Sequence, residues 1–181
     1  MISKILLLIT LVLSANANIN NYKSSIYCEV KRNNLFINKK NSNFTFRYNL
    51  CYSKQNKYKD VRISAEFKSI SGSIDKGGGI AWRIQDEYNY YVVRFNPLEN
   101  NFRLYYVKNG NRVELQSENL KLENKYNKIT IEHKNNNIKA YINDKLLLTY
   151  NDDTFKKDGY IGVWSKADAS TLFKNIIVIK Q

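Results

Sequence analysis

At 181 residues the chain has the length of one domain and is long enough to bury a core. Its 29 Lys and Arg against 16 Asp and Glu give a formal charge of +13, which attracts anionic polymers or surfaces without specificity. The basic residues are scattered, with no basic helix and no long basic run, so the composition argues against specific nucleic-acid binding; two Cys and one His, far apart, lack zinc spacing.

The chain begins with Lys4 ahead of the apolar run Ile5 to Leu13, then Ala15 and Ala17. A positive start, a short apolar segment and an A-x-A site describe a secretory signal peptide cleaved after Ala17, the alternative being an N-terminal membrane anchor. The run is short for a bilayer span. Residues 1–17 are therefore expected to be a signal peptide and residues 18–181 a single domain, secreted or periplasmic, with no transmembrane segment. In an oxidising compartment Cys28 and Cys51 are expected to form one disulfide, with two core thiols as the alternative.

Beyond the leader the hydrophobic period is two almost throughout. Candidate strands are 26–31, 35–38, 44–51, 61–70, 79–84, 90–96, 102–108, 113–115, 126–133, 137–142, 145–150, 160–165 and 169–179, rich in Val, Ile, Tyr, Phe and Thr. Turns such as KNGN at 108–111, KNNN at 134–137 and NDK at 143–145 supply Asn or Gly for positive φ. No helix of ten residues is evident. Many short strands at regular spacing predict an all-β fold, a two-sheet sandwich or a barrel.

Alternation sorts side chains by face. Ile80, Trp82 and Ile84, then Tyr91, Val93 and Phe95, then Phe102, Leu104 and Tyr106, and Ile161 with Val163, form a core face. The opposite face collects Arg83, Tyr90, Arg94, Asn96, Arg103, Tyr105, Trp164 and Lys166. If Phe95 pairs with Phe102, Arg94 lies opposite Arg103, with side chains starting about 5 Å apart. Such a like-charge pair needs a carboxylate or a ligand between the guanidiniums. Glu99 and Asp168 are the internal candidates; an external partner would be sugar hydroxyls or a carboxylate, which the arginine fork grips. Trp164, Tyr105 and Tyr90 add flat surfaces suited to a sugar's C–H face. Asp86 and Asn89 are expected to shape a turn, Asp152 and Asp153 to cap one, and His133 to lie on the surface at a strand end.

The runs DVRISAEFKSISG (60–72), GGGIAWRIQDEYNYYVVRFNPLENNFRLYYVKNGNRVEL (77–115), NKITIEHKNNNIKAYINDKLLLTYNDDTF (127–155) and GYIGVWSKADASTLFKNIIV (159–178) together resemble secreted bacterial domains with the concanavalin A-like jelly roll. These are related to laminin-G-like domains and to the group named for 3-keto-disaccharide hydrolases. The resemblance implies a jelly roll whose concave sheet carries any glycan site. Positions matching the family pattern are Arg83, Asp86, Asn89, Tyr90, Arg94, Asn96, Glu99, Asn101, Arg103, Tyr105, Trp164, Lys166 and Asp168. Many jelly rolls place an acidic residue, linked to a structural calcium, after the last-strand Phe. Here Lys174 stands there, so the resemblance supports calcium only weakly and no other cofactor is implied.

This fold hosts lectins, binding modules and glycosidases alike, so function must be argued from the site. A glycosidase needs two carboxylates about 5–10 Å apart across a cleft. The E-x-D-x-x-E of laminarinase-type members is missing, which leaves Glu99 and Asp168 as candidate catalytic residues. The expected function is a non-catalytic carbohydrate-binding domain. Its candidate ligand-binding residues are Arg83, Tyr90, Arg94, Asn96, Glu99, Asn101, Arg103, Tyr105, Trp164, Lys166 and Asp168, and its ligand a glycan or other polyhydroxylated or anionic molecule. The alternatives are a glycan-cleaving enzyme of the 3-keto-disaccharide hydrolase kind and an envelope module that binds polyanions by charge.

Overall fold

A computed structural model of the chain describes residues 15–16, 22–24, 28–31, 34–38 and 48–181. The expected signal peptide lies outside the described residues except for Ala15 and Asn16. Among the described residues there are fifteen strands and no helix: β1 (Ala15–Asn16), β2 (Tyr22–Ser24), β3 (Cys28–Lys31), β4 (Asn34–Asn38), β5 (Asn49–Tyr58), β6 (Val61–Ser71), β7 (Gly78–Asp86), β8 (Asn89–Asn96), β9 (Asn101–Lys108), β10 (Asn111–Asn119), β11 (Asn127–Lys134), β12 (Asn137–Ile142), β13 (Lys145–Asn151), β14 (Gly159–Ser165) and β15 (Ser170–Lys180). The all-β expectation holds.

The strands form two antiparallel sheets. One runs β13-β12-β11-β6-β15-β4-β3, with β1 also on β15; the other runs β10-β9-β8-β7-β14-β5-β2. Period-two burial builds the space between them. Along β6, Val61, Ile63, Ala65 and Phe67 are buried while Arg62, Ser64, Glu66 and Lys68 stay partly exposed. The shared core holds Ile80, Trp82, Tyr91, Val93, Phe95, Phe102 and Leu104 from the second sheet against Ile63, Phe67, Ile129, Ile131 and Phe173 from the first. Asn109 and Gly110 take positive φ in the β9–β10 hairpin, as do Asn135, Asn143 and Asp144 in later turns.

Both long sides of the sandwich are tied. Cys28 on β3 and Cys51 on β5 form a disulfide between the sheets, with Cα atoms 5.7 Å apart. Closing a loop of that span stabilises by roughly 3 kcal/mol in the chain-entropy model. On the far side, the Thr149 amide of β13 donates to Gln116 Oε1 of β10 at 3.0 Å.

Three expectations change. Strand β5 runs on to Tyr58 and β10 covers Asn111–Asn119, both longer than expected. Polar residues on exposed strands hide the alternation there, and the expected start of β5 at 44–47 falls outside the described residues. His133 is fully buried, not on the surface. It continues the inward phase of Ile129 and Ile131, and its Nδ1 accepts from Trp82 Nε1 at 2.9 Å. Burial, reinforced by Arg83, pushes its pKa down to about 3, so the ring is neutral with its proton on Nε2.

The third change concerns Arg83, which leaves the face it was expected to share with Arg94. It adopts φ of 46°, and the β7–β8 register shifts between Trp82 and Asp86. The bulge turns its guanidinium to the end of the sandwich. There it donates to the carbonyls of Lys59 (3.0 Å), Phe155 (2.8 Å) and Asn135 (2.9 Å), beside Asp60. Ile84, expected in the shared core, is carried instead to the opposite face.

Candidate functional site

The outward face of the β10-to-β2 sheet is assembled by strand register. Leu50, Trp164, Gly79, Arg94, Arg103 and Ser117 form one row across β5, β14, β7, β8, β9 and β10. Tyr52, Gly162, Ala81, Val92, Tyr105 and Glu114 form the next. Small residues occupy the middle of both rows, and large rings lie down over them. Trp164 on β14 donates from Nε1 to the Tyr90 hydroxyl on β8 at 3.1 Å. Its indole therefore crosses β7 above Gly79 and Ala81. A methyl group on Gly79 would overlap the Val93 carbonyl and press on Arg94, so glycine is required at that close approach.

These rings form a second apolar cluster with Leu50, Tyr52, Ile84, Val92 and Val107. Trp164 and Tyr90 are 0 % exposed, and burial raises the Tyr90 pKa. Alternation placed both on the correct face but said nothing of depth. They support the floor of the face, and a sugar could not stack on them as they lie.

Beside this floor is a charged cluster. Phe95 pairs with Phe102, and Arg94 lies directly opposite Arg103. Arg94 is 1 % exposed. Its Nη1 donates to Asn101 Oδ1, and its Nη2 reaches Glu99 Oε2 at 2.9 Å and the Tyr105 hydroxyl at 3.3 Å. Glu99 also accepts from Asn96 Nδ2 (3.2 Å) and Asn101 Nδ2 (2.9 Å), and stands 3.4 Å from Arg103 Nη1. Arg103 meets Glu114 at 3.4 Å and donates to Ser117 Oγ at 3.1 Å. Glu99 thus neutralises the like-charge pair. Burial opposes ionisation of Glu99, but the hydrogen bonds from Asn101 and Arg94 and both guanidiniums outweigh it and hold the pKa down at about 2. The Glu99 and Arg103 side chains remain 43 % and 32 % exposed.

Asp168 does not take the neutralising place foreseen for it beside the arginines. It caps the loop after β6, accepting from the amides of Ser73 (2.7 Å), Ile74 (3.0 Å) and Asp75 (2.9 Å) and from the Ser73 hydroxyl. Burial again opposes ionisation, but these donors bring its pKa to about 2. The loop delivers Asp75, which sequence reasoning missed. Asp75 is buried, accepts from the Gly77 amide at 2.7 Å, and lies in the fields of Arg94 and Lys166; burial prevails and its pKa is raised. Asp86 accepts from the Tyr88 amide and Asn89 Nδ2, shaping the β7–β8 turn, and Asp152 Oδ1 accepts from the Thr154 amide and the Tyr91 hydroxyl. Among the described residues no cluster of His, Cys, Asp and Glu could hold a metal ion.

The other half of the face also escaped sequence reasoning. Tyr48, just before β5, packs its ring 5.3 Å from Trp164. Arg112 on β10 reaches over from the opposite edge, its guanidinium 4.4 Å from the Tyr105 ring, 5.6 Å from Tyr48 and 6.0 Å from Trp164. Lys54 and Lys57 stand over the rings of Tyr52 and Tyr160. Extending the hairpin register through the Asn109–Gly110 turn would have placed Arg112 and Glu114 here, since they pair with Val107 and Tyr105.

A model of the 3-keto-alpha-glucoside-1,2-lyase-like domain matches residues 18–179. No curated protein matches the chain. Among solved structures, the carbohydrate binding module CBM66 from Bacillus subtilis aligns with a TM-score of 0.68 at 16% identity, covering 92% of this chain and 95% of that one. The beta-glucanase of Bacillus licheniformis aligns with a TM-score of 0.59 at 14% identity, over 95% and 94% of the two chains. A beta-1,3-1,4-glucanase derived from a mouse hindgut metagenome aligns at 0.60 and 9% identity, over 85% and 83%. At these identities the likeness is one of fold.

Proposed function

The chain belongs to the 3-keto-alpha-glucoside-1,2-lyase-like domain family, and on that premise we propose that it is an exported, non-catalytic carbohydrate-binding domain holding a glycan on the face of the β10-to-β2 sheet. The observation that carries this reading is the polar row Glu99, Arg103, Glu114 and Ser117. It is partly exposed, and its geometry is fixed from below by the buried Arg94. Paired acceptors and forked donors held in place before binding suit vicinal hydroxyls, because little side-chain freedom is lost on association. Among solved structures the fold is shared with a carbohydrate binding module, and the disulfide suits an oxidising compartment.

General-acid work by Glu99 or Asp168 is disfavoured because the donors around each hold its carboxyl down at about 2. A general acid must keep its proton near neutral pH. A second reading, glycan cleavage, draws on the family's description and on the fold shared with two glucanases. Calorimetry of the whole chain against a panel of oligosaccharides tests the first reading. Binding without product release is expected, weakened about tenfold or more in Arg103→Ala. Unchanged affinity in that variant would put the site elsewhere. Product release that disappears in Glu99→Ala would replace the first reading with the second.

A further inference from the structure

Five described arginines can be sorted by their acceptors. Arg62 pairs with Glu132, Arg83 with three carbonyls, Arg94 with Glu99 and Asn101, and Arg103 with Glu99 and Glu114. Arg112 differs. Among the described residues no carboxylate pairs with it, and its Nη1 is buried without a hydrogen-bond partner. It is nevertheless held in place by the rings of Tyr105, Tyr48 and Trp164. A guanidinium positioned by aromatic faces and pairing with no described acceptor keeps its Nε and Nη2 donors for an oxyanion from outside. Lys54 and Lys57 stand on the same face, also without an ion pair among the described residues.

We propose that the glycan is acidic, and that Arg112 receives its carboxylate or sulfate ester. This rests on the glycan-binding reading of the same face and divides the work across it. The Glu99–Arg103–Glu114 group takes hydroxyls, because with Arg94 beneath it two carboxylates already offset two guanidiniums. The Arg112 half takes the anionic group, because its charges do not. The aromatic surround excludes water from one side of the guanidinium, which strengthens an ionic hydrogen bond made there. The scattered charge of the rest of the chain then gives only a nonspecific background.

Titration of the whole chain with short saccharides at physiological salt tests this. The probes are a galacturonic acid oligomer, a sulfated disaccharide and a neutral galactose oligomer, each against the wild type, Arg112→Gln, Arg112→Lys and the control Lys139→Gln on β12 of the other sheet. The acidic probes should bind about tenfold or more tighter than the neutral one. Arg112→Gln should erase that preference, Arg112→Lys should retain part of it, and Lys139→Gln should change nothing. The carboxylate and sulfate arms identify which oxyanion is taken. Equal binding of neutral and acidic probes, unchanged in Arg112→Gln, overturns the acidic ligand and leaves glycan binding standing. Acidic binding weakened alike by Lys139→Gln and Arg112→Gln overturns the proposal in favour of nonspecific polyanion attraction. A folded chain that binds none of the three overturns the glycan reading and this proposal with it.

Discussion

The two halves of the outward face use the same residue types to opposite ends. In one, Arg94 and Arg103 are locked by Glu99, Glu114 and two asparagines, and the charges close on themselves. In the other, Arg112, Lys54 and Lys57 rest on tyrosine and tryptophan rings, and no described carboxylate pairs with them. A buried arginine must have its partners, because an uncompensated charge in the interior costs several kcal/mol. A half-buried arginine on aromatic rings can remain unpaired, because the ring faces and nearby solvent suffice. The first half is therefore closed in charge and offers only neutral hydrogen bonding, and the second is open to anionic partners from outside.

That contrast predicts a graded set of outcomes. Arg94→Met takes the buried donor from Asn101 Oδ1 and Glu99 and should cost about 2–3 kcal/mol in denaturant unfolding. A cost below about 1 kcal/mol would show that the pair is not needed to hold the hairpin. Tyr90→Phe removes the acceptor of the buried Trp164 indole and should cost about 1–3 kcal/mol, read together with a change in tryptophan emission. Smaller still is a pH effect. With its folded pKa depressed to about 2, Glu99 contributes stability that is present above the ordinary carboxylate range and lost as pH falls from there toward 2. Glu99→Gln should flatten that part of the stability profile; a profile that kept its slope would assign the acid sensitivity elsewhere. Arg112→Met, in the unpaired half, should change stability by no more than about 1 kcal/mol. A loss as large as that of Arg94→Met would erase the distinction between the halves.

His133 extends the same reasoning to the interior. It is neutral in the fold with a pKa near 3, below its ordinary value, so the unfolded chain takes up a proton first as pH falls. Its contribution is fully present above about pH 6.5 and is lost toward pH 3, amounting to roughly 5 kcal/mol. His133→Gln should remove that slope in acid titrations followed by circular dichroism.

Much of the frame was legible because alternation reports which face a strand residue occupies. Phe95 opposite Phe102, Arg94 opposite Arg103 and Glu99 between the guanidiniums all follow from one hairpin register. What alternation does not encode is depth and phase. Trp164 and Tyr90 were on the right face, but their burial depends on Gly79 and Ala81 beneath and Tyr48 and Arg112 above. Arg83 was misplaced because a non-glycine residue at positive φ carries no mark in the sequence, and its bulge also moved Ile84. The phase of His133 was legible beside Ile129 and Ile131, but the tryptophan it accepts from lies on the facing sheet, which alternation does not report. Asp75 left no signal, since only the Asp168 cap brings its loop under Arg94.

The disulfide and the Gln116–Thr149 contact close opposite long sides of the sandwich, one covalently and one with a single side-chain hydrogen bond. A covalent tie on one side and a single hydrogen bond on the other predict that opening fluctuations are larger at the β10 and β13 edge than along β3 and β5. Arg112 and Glu114 ride on β10, so each such fluctuation carries the ends of both halves of the outward face with it. Hydrogen exchange at the Thr149 amide would clock that motion, and a ligand bridging Arg112 to the rest of the face would slow it without touching β13.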